Sequence, residues 1–451
     1  MSTAKVWKVA LVGGGRLGQY YAEAFTTFAD TSLVAVVEPN YERAQAVVEK
    51  FPTSHGHFRD LHRMLDEAQP EIVTVATPGK YFQSVVLAAA LAPSVRAIQV
   101  EKPFGGPLAD ADAMATACEA AGIVFAGGAL TVAYPQVQEA AARLRSGEYG
   151  RVVGASVHGW SSEILGAGCQ HTAVLRLLTG AEVVEVVAWC EQPEGLRDGE
   201  GRLVDAVDGA ELETGCREPV GADCTEFNAQ FRLATGLTVP VFGAPNLATT
   251  NLAGALPTAG VRVWTDTGYL VHAEGPECGP PQIFRGFDPQ TKRRLRVEEN
   301  YVVPPFVELP WPHLTNSCRT LIEHLVAVDS GASAVPPLAV SGIDIRQALE
   351  LSTAAYHSAL RGGVPMALPL LERDGDEAGG SPAIYPRGYR WGGGDSIGSI
   401  QSVEEVVSKG GRTWEGISTG FVDSGGGGTN KSAAAAEGGG GGEGGAAVEK
   451  L

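Results

Sequence analysis

The sequence predicts an α/β protein: an N-terminal doubly wound parallel sheet, then a C-terminal α/β domain with an open, mostly antiparallel sheet. Three observations carry that expectation. From Lys8 to Phe125, short apolar, β-branched runs alternate with alanine-rich amphipathic segments, the pattern of a parallel sheet with helices on both faces. After Gly150 the runs lengthen and alternate apolar with polar residues between glycine-containing turns, as strands with one solvated face do. Beyond about Arg373 the composition collapses into glycine, serine and alanine, ending in "SGGGGTNKSAAAAEGGGGGEGGAAVEKL"; such a segment buries too little apolar surface to fold.

In the first region the strand candidates are "WKVALV", "LVAVVE", "EIVTVAT", "RAIQVEK" and "GIVFAGG". In the second they are "RVVGASVHGW", "EVVEVVAWCE", "EFNAQFRLATG", "LTVPVFGA" and "VRVWTDTGYLVHAE". Helical patterns return at "TNSCRTLIEHLVAVDSG" and "GIDIRQALELSTAAYHSALRGG", each stopped by glycine as helix C-termini usually are. The predicted division is 1–126, 127–373 and a disordered tail over 374–451. The stretch from Glu191 to Asp223, rich in Gly, Glu and Asp, reads as a solvated loop insertion.

The bulk numbers exclude several classes. A chain of 451 residues that is 44% hydrophobic has material for two cores. Its net charge of −18 opposes nucleic acid and anionic membrane surfaces, and no block of Lys and Arg interrupts it. Seven scattered cysteines form no Cys-x-x-Cys pair, so neither a disulfide framework nor a metal module is expected. No apolar run is long enough to span a bilayer, and "MSTAKVWKVALVGGG" leaves no room for a targeting peptide. The C-terminal "EKL" misses the peroxisomal signal at Glu449. A cytoplasmic protein is expected.

Chemistry enters at "VALVGGGRLGQ". A strand followed by Gly-x-Gly-x-x-Gly and a helix is the dinucleotide-binding (Rossmann) fingerprint. Gly13 permits the tight turn, Gly15 lets the backbone approach a pyrophosphate, and Gly18 allows close helix–strand packing. The opening turn of the helix, Arg16 and Leu17 included, supplies N–H groups and a positive dipole to phosphate. Glu38 closes the second strand, where a carboxylate accepts the ribose hydroxyls and repels the extra phosphate of NADP. NAD is the expected cofactor; Arg16 and Arg43 leave NADP open. Ala76, Thr77 and Pro78 end the "EIVTVA" strand, and Glu101, Lys102 and Pro103 end "RAIQV", at the sheet edge where such folds bind ligands. The proline holds Lys102 in an extended conformation, able to direct its ammonium along that edge.

These residues resemble a known family. "GGGRLG", "ATP", "VEKPFGGPLADADAM" and "SGEYGRVV", with "GVRVWTDTGYLVHAEGP" and "IDIRQALELSTAAYHSALRGGVPMALPL", look like the glucose-fructose oxidoreductase and inositol dehydrogenase (Gfo/Idh/MocA) family over residues 5–373. The resemblance implies an NAD(P)-dependent oxidoreductase of sugars, polyols or similar small molecules, with a possible homo-oligomer through the C-terminal sheet. It implies that Lys102 touches substrate and nicotinamide ribose. It also implies an Asp-x-x-x-His element at "AGCQH", with His171 in place as the catalytic histidine.

The pattern departs from the family at three places. Ala167 stands where the family has aspartate, Val174 where a second aspartate often follows, and "GGALTVAYPQ" lacks the family's arginine. Glu163 is the nearest replacement acid, if the loop folds back. The reading is a hydride-transfer enzyme in which Lys102 stabilises charge on the reacting oxygen while His171 takes or gives the hydroxyl proton. The alternative is a catalytically inactive nucleotide-binding regulator on the same fold, which the three departures favour and the retained Lys102 and His171 oppose. His158 and Trp160, at the end of the first strand of the second sheet, are pocket-lining candidates outside the catalytic pair.

Overall fold

The computed structural model describes residues 5–102, 104, 108–128, 131–160, 168–190, 199, 228–243, 260–274, 281–287, 290–291, 294–297 and 311–371. Apart from residue 199, the expected loop from Glu191 to Asp223 lies outside them, as does the expected tail over 374–451.

The first sheet is built from β1 (Trp7–Val12), β2 (Thr31–Val37), β3 (His57–Phe58), β4 (Ile72–Val75), β5 (Ala97–Val100) and β6 (Val124–Gly127), in the order β3-β2-β1-β4-β5-β6. Every pairing is parallel. The strands are apolar because both faces are covered; β4 and β5 are buried at every position. The helices between them are α1 (Arg16–Thr27), α2 (Tyr41–Lys50), α3 (Leu61–Ala68), α4 (Phe82–Leu91) and α5 (Leu108–Ala120). Asn40 and Asp60 cap α2 and α3 by accepting from the amides of Arg43 and Arg63. Eight residues of α4 are buried, matching its nearly all-apolar sequence.

The strand order reverses between β1 and its two neighbours, β2 and β4. That is the crevice where doubly wound sheets take nucleotides.

After α6 (Pro135–Arg145) come β7 (Val152–Trp160), α7 (Gly168–Thr179), β8 (Val183–Trp189), β9 (Asn228–Leu233), β10 (Thr238–Gly243), β11 (Gly260–Thr265), β12 (Tyr269–Glu274), β13 (Gln282–Phe287), β14 (Arg294–Val297), α8 (Pro312–Asp329), α9 (Gly342–Leu360) and β15 (Met366–Ala367). The nine strands run β14-β13-β12-β11-β7-β10-β9-β8-β15. Only β7 and β10 pair in parallel. In β9, exposed and buried residues alternate strictly, the period-2 signature of a sheet with one solvated face. Helix α7 lies on β7 and β11, and α9 lies on β8. The sequence runs foresaw every strand here except β13, β14 and the two-residue β15; β3 is the further strand that no run marked.

Both C-terminal helices return to the first sheet. Leu314, Cys318, Leu321, Ile322 and Leu325 of α8 join Val9, Leu11, Tyr21 and Phe25 in one buried cluster. Gly127 of β6 donates its amide to Val340 at 3.0 Å, and Ala126 bridges Ser341, so the stretch before α9 covers the free edge of β6. Helix α9 then starts on a capping box formed by Ser341 and Asp344. The division at residue 126 therefore follows chain order, while in packing α8 goes with the first sheet.

Candidate active site

The glycine loop sits at the reversal point, and its three glycines have three different reasons to be there. Gly13 has a φ of +102°, and a Cβ on it would lie 2.6 Å from the carbonyl oxygen of Ala76. A Cβ on Gly18 would lie 2.0 Å from the carbonyl oxygen of Gly13, so any side chain there pushes α1 off β1. A Cβ on Gly15 would meet nothing within 4 Å; the space beside it is open. No side chain caps α1, and its first turn carries no acid. The amides of Arg16, Leu17 and Gly18 thus face an uncapped helix end that suits an anion.

Glu38 follows β2 and is 5% exposed. Its Oε2 accepts from the Gly14 amide at 2.8 Å, and its Oε1 from the Asn40 amide at 2.9 Å. Arg43 stands 4.0 Å from Oε2. The carboxylate thus organises the glycine loop, and its remaining lone pairs are what a ribose diol would use. Next door, the Ala76 amide donates to the Val12 carbonyl, and the hydroxyl of Thr77 is buried with no hydrogen-bond partner among the described residues. Pro78 is exposed at the rim. An open cradle at Gly15, an uncapped helix end and an orphaned Thr77 hydroxyl together fit a dinucleotide.

At the end of β5, Glu101 is 2% exposed. It accepts from the Tyr21 hydroxyl at 2.8 Å and from the Lys102 amide at 2.7 Å. The carboxylate is thereby turned inward, where it fixes the backbone from which the half-buried Lys102 side chain leaves. Pro103 lies outside the described residues.

His171 is in the first turn of α7, and the structure places it at 7% exposure. Its Nδ1 is buried with no hydrogen-bond partner among the described residues. Burial lowers its pKa to about 4, so the ring is neutral at physiological pH. The neighbouring Gln170 accepts from the Thr131 amide at 2.6 Å, tying α7 to the 3-10 turn Thr131–Ala133 that follows β6. Val174 is packed into the core at 2% exposure. Ala167 and Glu163 lie outside the described residues. His158 bonds Ser156 at 2.9 Å and stacks on Phe242; nothing is described for the Trp160 side chain.

The sequence reading missed a group that the fold brings to Lys102. Helix α8 opens after Trp311 with Pro312 and His313, and burial first, with the Lys102 charge second, lowers the His313 pKa to about 4. His313 stacks on Tyr134 with ring centroids 4.7 Å apart. No sequence motif marks it; a histidine beside a helix-opening proline is the only local signal. Among the described residues, no group of three or more His, Cys, Asp or Glu is placed to hold a metal, and no helix is long and apolar enough to cross a membrane.

A parallel sheet whose strand order reverses beside a glycine cradle, followed by a nine-stranded open sheet, defines a fold of the Rossmann class. Comparison with known proteins narrows this. Residues 7–128 match the model of the Gfo/Idh/MocA oxidoreductase family, NAD-binding Rossmann fold. A curated D-apiose dehydrogenase of Paraburkholderia graminis is 36% identical over 122 residues, 27% of this chain. The match spans about a third of that relative, 32% of its length. Among solved structures, an aldose-aldose oxidoreductase from Caulobacter crescentus complexed with glycerol superposes with a TM-score of 0.58 at 20% identity, covering 81% of this chain and 100% of that one. A levoglucosan dehydrogenase in complex with NADH and levoglucosan superposes with a TM-score of 0.61 at 18% identity, again covering 81% and 100%. These likenesses extend the shared fold through the second sheet.

Proposed function

We propose that the chain is an NAD-dependent oxidoreductase acting on a hydroxyl or carbonyl carbon of a sugar, polyol or similar small molecule. The observation that carries this is the placement of Lys102. A buried carboxylate, Glu101, anchors its backbone at the strand edge that also carries the glycine cradle and the Thr77 hydroxyl. The cofactor-holding residues are Gly13, Gly15, Arg16, Leu17, Gly18, Glu38, Ala76, Thr77 and Pro78, with Glu101 setting the position of Lys102. NAD, when bound, supplies the hydride acceptor, and NADH the donor.

The chain's own contribution is charge and proton placement. The Lys102 ammonium hydrogen-bonds the reacting oxygen and stabilises negative charge developing on it. His171 is the group that takes the hydroxyl proton or returns it; its neutral ring has the free acceptor this needs.

We infer a cytoplasmic location from the thiols; Cys118, Cys169, Cys190 and Cys318 are free cysteines. Phe242 and Trp264 are 48% and 39% exposed on the sheet face turned away from α7, which supports pairing of two copies through that sheet. The test of function is NADH formation with a panel of aldoses, inositols and diols, beside calorimetric titration of NAD. Turnover with one member supports the reading. NAD binding with no turnover across the panel replaces it with the regulator.

A further inference from the structure

His313 has the contacts of a ligand-binding group and lacks those of a core residue. It is 2% exposed, and both ring nitrogens are buried with no hydrogen-bond partner among the described residues. A buried histidine kept for packing normally satisfies at least one nitrogen. A phenylalanine would make the same stack on Tyr134 without leaving polar atoms stranded. The position is also held with strain and with anchors. Trp311, a non-glycine residue at φ +65°, turns the chain into α8. This sets its ring 5.4 Å from His313 and 5.3 Å from Tyr20. One turn on, Asn316 donates to the Ala133 carbonyl at 2.7 Å and Ser317 to that of Gly127 at 3.0 Å. The ring is therefore fixed beside the end of β6 and within reach of the Lys102 charge.

The chemistry of the pair selects a ligand. An ammonium has donors only, whereas a neutral imidazole has one donor and one acceptor. A hydroxyl group, itself donor and acceptor, can meet either ring nitrogen; a carboxylate, acceptor only, can meet only the one that carries the proton. Two neighbouring oxygens, one facing Lys102 and one facing the ring, describe a vicinal diol or a hydroxy-carbonyl unit. Trp311 and Tyr134 offer aromatic faces against which the C–H face of such a molecule packs.

We propose that His313 is a substrate-binding residue of this site, hydrogen-bonding through its ring the hydroxyl adjacent to the oxygen held by Lys102, and so selecting polyhydroxylated substrates over hydroxy acids. The proposal rests on the oxidoreductase reading above and deepens it.

The test begins without turnover. In protein labelled with [15N]histidine, the His313 signals among the nine histidines are those missing from His313→Phe. Lys102→Met is expected to raise the His313 titration midpoint, and an unmoved midpoint overturns the neighbourhood of the two groups. Addition of myo-inositol, D-xylose or glycerol to the NAD-saturated protein is expected to shift the ring nitrogens of His313, and L-lactate to leave them in place. In steady state, His313→Phe is expected to raise KM about tenfold or more, the loss of one hydrogen bond, with kcat changed less and NAD affinity unchanged. His313→Gln, which keeps one polar contact, recovers part of the KM and serves if the phenylalanine variant does not fold. Wild-type turnover with KM within twofold in both variants and no nitrogen shift overturns the proposal and leaves the oxidoreductase standing. A wild type that binds NAD but turns over nothing overturns the oxidoreductase, and the proposal with it.

Discussion

The two ends of the candidate site are built on opposite principles. At the nucleotide end, the protein satisfies itself: both oxygens of Glu38 are held by amides of Gly14 and Asn40, and Gly13 and Gly18 fill the only space available to them. Left over are the uncapped first amides of α1 and, among the described residues, the Thr77 hydroxyl. At the substrate end, polar atoms are buried and left alone. His171 and His313 carry ring nitrogens with no partner among the described residues, and both are neutral because burial disfavours the charged ring. On the function proposed above, the difference teaches that the cofactor site is shaped mainly by backbone, whereas the substrate site is made of side chains whose hydrogen bonds a ligand must supply. Backbone-built sites tolerate little change; side-chain-built sites can be retuned one residue at a time.

The strongest blow to the nucleotide end is a methyl group. Gly18→Ala would place a carbon 2.0 Å from the Gly13 carbonyl, and loss of measurable NAD binding in calorimetry is expected, with a lowered Tm. If Gly18→Ala bound NAD normally, the loop would not be the cradle described. At the substrate end the corresponding changes should spare binding. Lys102→Ala and His171→Ala are each expected to lower kcat by about a hundredfold or more while NAD affinity stays within twofold, as followed by NADH absorbance and calorimetry.

Acid separates the two ends by another measure. An unfolded chain protonates its histidines near 6.5, but His171 and His313 resist protonation until about 4. The unfolded state therefore binds more protons between these values. The contribution of these two rings to stability is fully present above about pH 6.5, falls as pH drops toward 4, and is lost below. Each ring accounts for on the order of 3 kcal/mol of that fall as an upper bound. Urea titrations from pH 7 to pH 4 should show it, and His171→Phe should flatten the slope. An unchanged slope in that variant would mean that the ring is solvated.

Glu38→Ala is the smaller change at the nucleotide end. It strands two amides and removes the charge that repels a 2′-phosphate, so the preference for NAD over NADP should narrow about tenfold or reverse. An unmutated protein preferring NADPH would contradict this assignment. Smallest of all, removal of residues 374–451, rich in glycine and alanine, is expected to move neither Tm nor cofactor affinity. A large drop would show that "AIYPRGYRW" docks on the body.

What the sequence revealed follows the same divide. The glycine loop, Glu38 and the Glu101–Lys102 pair were legible because each site feature is made within a few residues of chain at the end of a strand. His171 was legible only through resemblance, since one histidine in an apolar helix has no local mark. His313 was illegible. Its meeting with Tyr134 and the charge of Lys102 is made by α8 coming back to the first sheet, and an amphipathic pattern does not say which sheet its apolar side will cover. Strand β3 was too short to register as a run, and β13 carries a glycine at φ +70° that breaks the alternation by which strands are read.

The return of α8 also has a consequence for how the protein is made. The buried cluster that Val9 and Leu11 of β1 form with Tyr21 and Phe25 of α1 is completed by Leu314, Cys318, Leu321, Ile322 and Leu325 of α8. On the ribosome those residues emerge roughly 200 residues after β6, a delay of about 10–40 s at 5–20 residues per second. Throughout that interval the cluster lacks the apolar side chains that α8 contributes. A fragment ending at residue 126 is therefore expected to bind a hydrophobic dye more strongly than the whole chain does.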